Sequence, residues 1–166
     1  MSRRRGRSTK SGDFQYVTVP SSLIAESLLH STHAKGKYGY GHVDRASGGV
    51  TLHHNLWARH DGRNPPFGDN YGKRKPPTFD FRNNVIDNCG SYCNGLVDGR
   101  IRVNSISNYL KPGPYTKTKQ GITLGPKADA ETRFHLSRNH PAMVTQKQPK
   151  TPSPVPGLAA IPIRTA

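Results

Sequence analysis

Residues 50–65 read VTLHHNLWARHDGRNP, a short strand pattern that runs into a turn with an asparagine. Val50 and Leu52 alternate with other residues, which is the period of a half-buried β-strand. Continued alternation predicts that one of His53 and His54 points inward and packs, while the other points outward. Asn55 follows at once, and asparagine is typical of tight corners because its amide bonds to nearby backbone and tolerates a left-handed conformation. The stretch therefore predicts a strand that ends in an asparagine corner.

The same unit of strand and asparagine recurs along the chain. Asn84, Asn108 and Asn139 each follow a short β-branched or aromatic run, and Ser22 takes the equivalent place before Asn55. The other runs are residues 17–19, 79–81, 102–106 and 134–136. A repeat of this length is typical of a solenoid, and in a parallel β-helix the asparagines of successive coils stack. Asparagine is also common in ordinary turns, but here strands and asparagines agree in register. We predict an all-β parallel β-helix of about four to five coils, above the usual minimum of three repeats.

Composition divides the 166 residues into three zones. Residues 1–12 form a basic arm that we predict to be disordered, residues 13–143 contain the repeats, and residues 144–166 form a Pro-rich tail that we predict to be extended or disordered. The formal net charge is +15, much of it in the arm and the tail. A positive field favours polyanions of any kind, so composition alone does not choose between nucleic acid and acidic polysaccharide.

The sequence shows neither a membrane-spanning segment nor a signal peptide. No apolar run approaches the ~20 residues that a membrane-spanning helix needs, so no membrane partner is expected. No apolar stretch follows the basic arm, so no signal peptide is visible in this chain.

The only cysteines, Cys89 and Cys93, are spaced C-x3-C without a second pair or a histidine cluster, which makes a poor zinc site. A disulfide or two incidental thiols remain the open alternatives.

The run at 50–65 resembles the H-H-N-(L/Y) strand and the R-x-P loop of pectate lyases of the first polysaccharide lyase family. Three more segments are similar to that family in the same order: residues 17–41 with an H-x-K element, FDFRNNVIDN at 79–88 and NYLKPGPYT at 108–116. The resemblance covers roughly residues 14–140. It implies a right-handed parallel β-helix, of which we expect this chain to be an N-terminally truncated, C-terminal portion.

The resemblance also implies an activity, the cleavage of polygalacturonate by β-elimination, usually with calcium as cofactor. A base removes the C5 proton of a uronate, and nearby cations neutralise the charge that develops on its carboxylate. The family pattern gives the role of base to Arg63, which opens the R-x-P loop, and substrate binding to His33 and Lys35 of the H-x-K element. A guanidinium normally stays protonated, so this role implies an electropositive groove and alkaline conditions. The alternatives for Arg63 are a solvated loop residue or a surface ion pair with Asp61.

The sequence departs from the family pattern in two ways. After the R-x-P loop the family carries a second arginine that holds substrate, and this chain has Gly68 in that region. Lys73 and Arg74 are the candidates to replace it. The family's calcium-binding acids have no match, and the nearby acids do not supply the six to eight oxygen ligands of a calcium site, so no metal ligand is assigned. A non-catalytic remnant that at most binds acidic polysaccharide is therefore the alternative function.

The expected partner follows from the same resemblance. The chain has no zinc-finger, RNP-type or helix-turn-helix signature, so a nucleic-acid partner rests on charge alone and is not expected. The expected ligand is polygalacturonate, an extracellular polymer, and the resemblance therefore implies an extracellular, secreted protein. The oligomeric state is left open.

Overall fold

The computed structural model describes residues 16–30, 32, 34, 36–42, 45–68, 75–117 and 121–140. The arm predicted at residues 1–12 and the tail predicted at 144–166 lie outside these residues. The described part contains no helix, and so none that is long and apolar enough to cross a membrane. Its strands are β1 (Val17–Pro20), β2 (Leu23–Ala25), β3 (Gly49–His53), β4 (Leu56–Ala58), β5 (Thr78–Arg82), β6 (Val85–Asp87), β7 (Asn94–Gly99), β8 (Arg102–Ile106), β9 (Tyr109–Lys111), β10 (Ile122–Ala128) and β11 (Arg133–Ser137).

The strands form three parallel sheets that wind around one axis. The first sheet has the order β1-β3-β5-β8-β11, the second has the order β2-β4-β6-β9, and the third pairs β7 with β10. Each turn of the chain adds one strand to the first sheet and, in the first four turns, one to the second. The fold is a β-solenoid of about four turns, which confirms the predicted parallel β-helix.

The core fills the space between the sheets. Burial alternates along β3 and β5, so that Val50, Leu52, Phe79 and Phe81 point inward. Phe67 packs between the last two, with ring centroids 5.2 and 5.6 Å away. Each such side chain contributes about 1.5–3 kcal/mol when it is fully buried. The other buried apolar residues are Ala46, Trp57, Ile86, Cys89, Cys93, Ile101, Val103, Leu110 and Ile122.

The four asparagines form a ladder along the corner between the first two sheets, as predicted. The backbone N–H of Asn55 donates to Asn84 Oδ1 at 2.9 Å, and that of Asn84 donates to Asn108 Oδ1 at 3.0 Å. In the same way, Asn139 Oδ1 accepts the backbone N–H of Asn108, and Asn55 Oδ1 accepts the backbone N–H of Ser22. Each side-chain amide also donates to a backbone carbonyl of the preceding coil. These bonds satisfy polar groups that the stacked coils exclude from water.

The left-handed residue of this corner is the one before the asparagine or, in the first coil, the one before Ser22. Residues with φ between 46° and 56° stand there in every coil: Ser21, His54, Asn83, Ser107 and Arg138. The prediction for the histidine pair was therefore wrong. Strand β3 ends at His53, and the left-handed turn at His54 interrupts the alternation, so that neither ring enters the core.

Cys89 and Cys93 are joined by a disulfide, with Cα atoms 5.1 Å apart. The structure thus selects the first of the two alternatives that the sequence left open. Both residues are buried, and the backbone carbonyl of Cys93 accepts hydrogen bonds from the backbone and the side chain of Asn64. The bridged segment is therefore attached to the R-x-P loop of the preceding coil.

Candidate functional site

The loop after β4 carries Arg63 on the third face of the solenoid. The backbone N–H of His42, in the preceding coil, donates to Arg63 O at 3.1 Å. On the other side, the N–H of Asn64 donates to Cys93 O at 3.0 Å. Arg63 adopts a left-handed φ of 61°, which is uncommon for a residue with a side chain. Backbone hydrogen bonds to both neighbouring coils hold this conformation and so fix the direction in which the arginine side chain leaves the backbone.

Three tyrosines from the two neighbouring coils surround the guanidinium of Arg63. Its central carbon lies 4.3 Å from the ring centroid of Tyr40 and 5.7 Å from that of Tyr38. Arg63 Nη1 also donates a long hydrogen bond of 3.4 Å to Tyr38 Oη. The phenol of Tyr92, in the following coil, interacts with the same guanidinium and raises its pKa. Aromatic rings attract cations through their electron-rich faces, so the arrangement binds the protonated arginine.

The tyrosines change the proton affinity of the arginine. Burial alone lowers the pKa of Arg63, but the hydrogen bonds and charge interactions with Tyr92 and Tyr38 outweigh burial, so the pKa of Arg63 is raised. Burial also raises the pKa of Tyr92, and the Arg63 cation offsets this only in part. Near neutral pH the site therefore presents a half-buried guanidinium cation beside the neutral phenol of Tyr92.

Asp61 lies two residues before Arg63 but has other partners. Its two carboxylate oxygens accept the hydroxyl of Ser91 at 2.8 and 3.0 Å, and Oδ1 also accepts the phenol of Tyr115 at 3.4 Å. Burial raises the pKa of Tyr115, and the neighbouring Asp61 raises it further. Among the described ion pairs there is none between Asp61 and Arg63. Asp61 therefore does not neutralise the charge of Arg63.

Two glycines make this close packing possible. A Cβ on Gly62 would lie 2.5 Å from the ring of Tyr92, and a Cβ on Gly90 would lie 2.6 Å from Asp61 Oδ1. Neither contact is tolerable for a real side chain. The rings and the carboxylate therefore approach the backbone of the neighbouring coil only because glycine stands at both positions.

Of the predicted site residues, the structure describes Arg63. His33, Lys35, Lys73 and Arg74 lie outside the described residues, and their roles stay predictions. Sequence reasoning missed the three tyrosines. The separation of 29 residues that relates Asn55 to Asn84 also relates Arg63 to Tyr92, so the repeat contained a signal for one of them.

The described residues do not fit a calcium site. No three His, Cys, Asp or Glu side chains in this part of the chain lie close enough together to hold a metal ion. Calcium takes six to eight oxygen ligands, largely from carboxylates and carbonyls. The carboxylate of Asp61, which is nearest to Arg63 in sequence, is already engaged by two hydroxyl groups. A calcium requirement rests on the family resemblance alone.

Comparison with known proteins gives a consistent set of relatives. No family model matches the chain. The chain is 37% identical over 108 residues to a protein of Aspergillus flavus named "Probable pectate lyase C", covering 63% of this chain and 22% of that one. A protein of the same name from Neosartorya fischeri is 31% identical over 132 residues, or 78% of this chain and 27% of the relative. One from Aspergillus oryzae is 36% identical over 105 residues, or 61% and 22%. The chain spans about a quarter of the length of the curated relatives that it matches.

Proposed function

The β-helical part of this chain belongs with the pectate lyases, and on that premise we propose that it cleaves polygalacturonate by β-elimination around Arg63. The observation that carries the proposal is the position of the guanidinium. Backbone bonds to both neighbouring coils and the Tyr40 ring at 4.3 Å hold it in place before any ligand arrives. During elimination, negative charge develops on the uronate carboxylate, and a cation fixed beside it stabilises that charge.

Arg63 is also the proposed base, as the resemblance implies. The arginine side chain can take up a proton only as the neutral guanidine. The raised pKa of Arg63 disfavours that form near neutral pH. The proposal therefore includes a requirement for alkaline conditions. His33 and Lys35, together with Lys73 and Arg74, are proposed to bind further carboxylates of the polymer. Calcium remains a proposal from the resemblance, and no step is assigned to it because the described residues form no ligand group.

A second candidate function is binding of acidic polysaccharide without cleavage. The same tyrosines that hold Arg63 as a cation favour it, because a permanent guanidinium suits the binding of a carboxylate but does not remove a proton. The chain's net charge of +15 favours the same kind of ligand. Under either function the polymer is found outside the cell, so we propose an extracellular site of action.

The test is an ultraviolet assay for the C4–C5 double bond that elimination creates, with polygalacturonate at several alkaline pH values, with and without calcium. Arg63→Asn removes the guanidinium and keeps a residue type that tolerates the left-handed conformation. Arg59→Asn is the matched control, because Arg59 is also left-handed, with φ 56°, but is exposed and paired with Glu26 at 2.9 Å. We expect turnover by the natural protein and the control, and a loss of about 100- to 1000-fold in Arg63→Asn, as for other fixed electrostatic groups.

A direct pectate-binding measurement on the same proteins separates the two functions. Binding that depends on Arg63, with no absorbance change at any pH, supports the second function. Turnover that survives in Arg63→Asn contradicts the role of this arginine. A β-rich, folded protein that neither binds nor cleaves pectate rejects both.

A further inference from the structure

The two adjacent histidines of the second coil lie on the same side of the chain. Neighbouring residues of a strand point to opposite faces, but the φ of 56° at His54 ends the alternation. The two imidazole planes are nearly perpendicular, at 88°, with centroids 5.1 Å apart. Their Nδ1 atoms are 2.9 Å apart and partly open to solvent. Two imidazole nitrogens thus lie within hydrogen-bond distance of each other outside the core.

The backbone beneath this pair is held from both sides. The N–H of Ser21, in the first coil, donates to His53 O at 3.1 Å. The N–H of His54 donates to Arg82 O, in the third coil, at 3.3 Å. Since the stacked coils have already fixed these positions, a ligand that bridges the two rings has only side-chain rotation to restrict.

The separation of the two nitrogens matches that of adjacent ligands on one metal ion. Nitrogens about 2.0–2.1 Å from a metal are about 2.9 Å apart when they subtend a right angle, and about 3.3 Å apart in a tetrahedron. Imidazole is a good ligand for copper, nickel and zinc, and right-angled sites are typical of Cu(II) and Ni(II). We propose that His53 and His54 form a two-imidazole site for a divalent metal ion of the copper or nickel type.

The residues around His53 and His54 determine the local charge and the remaining ligands of a bound metal ion. Arg82 stands beside His53 in register, and its charge is balanced by an ion pair with Asp80. Within the described residues no third His, Cys, Asp or Glu joins the pair, and the proposed site takes its remaining ligands from water. Without metal, one Nδ1–H donates to the other Nδ1, and the ion competes with that single hydrogen bond. The site lies at the corner between the first two sheets, whereas Arg63 lies on the third face.

The experiment titrates the full chain with CuCl₂ by calorimetry and counts coordinated imidazoles by electron paramagnetic resonance. His54→Asn copies Asn83, which holds the equivalent left-handed position in the next coil, and His53→Thr keeps a good strand residue. His135→Thr is the matched control, because His135 is an exposed histidine of β11 in the same sheet.

We expect one Cu(II) bound through two imidazoles in the natural protein and in the control. Each single variant should weaken that binding by at least about 10- to 100-fold, since even loss of a group that only supports a ligand typically has this effect. Zn(II) should bind more weakly than Cu(II). Equal Cu(II) affinity in His54→Asn, or a spectrum with only one imidazole, overturns the proposal and leaves the pair as a hydrogen bond between two rings.

Discussion

Replacement of Asn84 by alanine removes the middle of the asparagine ladder. Its Oδ1 accepts the backbone N–H and the side-chain amide of Asn55 at 2.9 and 3.1 Å. Its Nδ2 donates to Leu52 O at 2.9 Å and to Asn108 Oδ1 at 3.0 Å. Hydrogen bonds of this kind contribute about 0.5–1.5 kcal/mol each. Asn84→Ala removes these four hydrogen bonds and should therefore lower the free energy of unfolding by about 4 kcal/mol. That is a large part of the about 5–15 kcal/mol that stabilises a typical domain.

Urea unfolding followed by tryptophan fluorescence measures this loss, because Trp57 is the only tryptophan and is fully buried. Asn104→Ala is the control, since Asn104 is an outward-facing, partly exposed asparagine of β8. We expect that variant to stay within about 0.5 kcal/mol of the natural protein. If the two variants unfold at the same urea concentration with the same slope, the ladder is not a source of stability and the reasoning is refuted.

Three further changes test the site and its surroundings. Tyr92→Phe removes a phenol that raises the pKa of Arg63, so that pKa should fall and the pH–rate profile of elimination should move to lower pH; an unchanged profile contradicts a base role for Arg63. Gly62→Ala places a Cβ 2.5 Å from the Tyr92 ring and should weaken pectate binding several-fold in a direct binding assay, whereas Gly49→Ala, with its nearest contact at 3.4 Å, should not; equal affinities would be the contrary result. Burial lowers the pKa of His60 below 6.5, and its hydrogen bond to the backbone of Ile24 offsets this only in part, so the unfolded chain binds the proton more tightly. The free energy of unfolding should therefore be highest above about pH 6.5 and decrease as the pH falls from about 7 to 5; His60→Gln should flatten that slope in urea titrations, and a slope that persists would locate the proton elsewhere.

The corner of the solenoid was predictable because its signals are local. The alternation of Val50 and Leu52 and the chemistry of Asn55 are both visible within a few residues, and their repetition gives the stacking. The left-handed residue was not predictable, because serine, histidine, asparagine and arginine all occupy that place. Its conformation comes from the stacked backbone of neighbouring coils and not from a preference of the side chain.

The site was predictable only in part. The R-x-P loop predicted a role for Arg63, which stays a prediction, and the 29-residue repeat relates Arg63 to Tyr92. Tyr40 follows a different spacing. At the corner between the first two sheets, the equivalent residues Ser22 and Asn55 of the first two coils are 33 residues apart. On the third face of the same two coils, Tyr40 pairs with Gly62, which is a shorter separation. The segments between the second sheet and the third face differ in length from one coil to the next. Spacing alone therefore does not give the pairing of Tyr40 with the loop of Arg63.

The asparagine ladder also has a consequence for evolution and engineering of the fold. The stretch from the start of a first-sheet strand to its asparagine has the same length in the four coils that contain this asparagine, as in Gly49 to Asn55 and Thr78 to Asn84. The separations between successive asparagines are nevertheless 29, 24 and 31 residues, so all insertions and deletions fall elsewhere in the coil. A binding loop grafted after β4 or β6 can change ligand preference while the stack keeps its register. Recognition can therefore diverge in this scaffold independently of the residues that fold it.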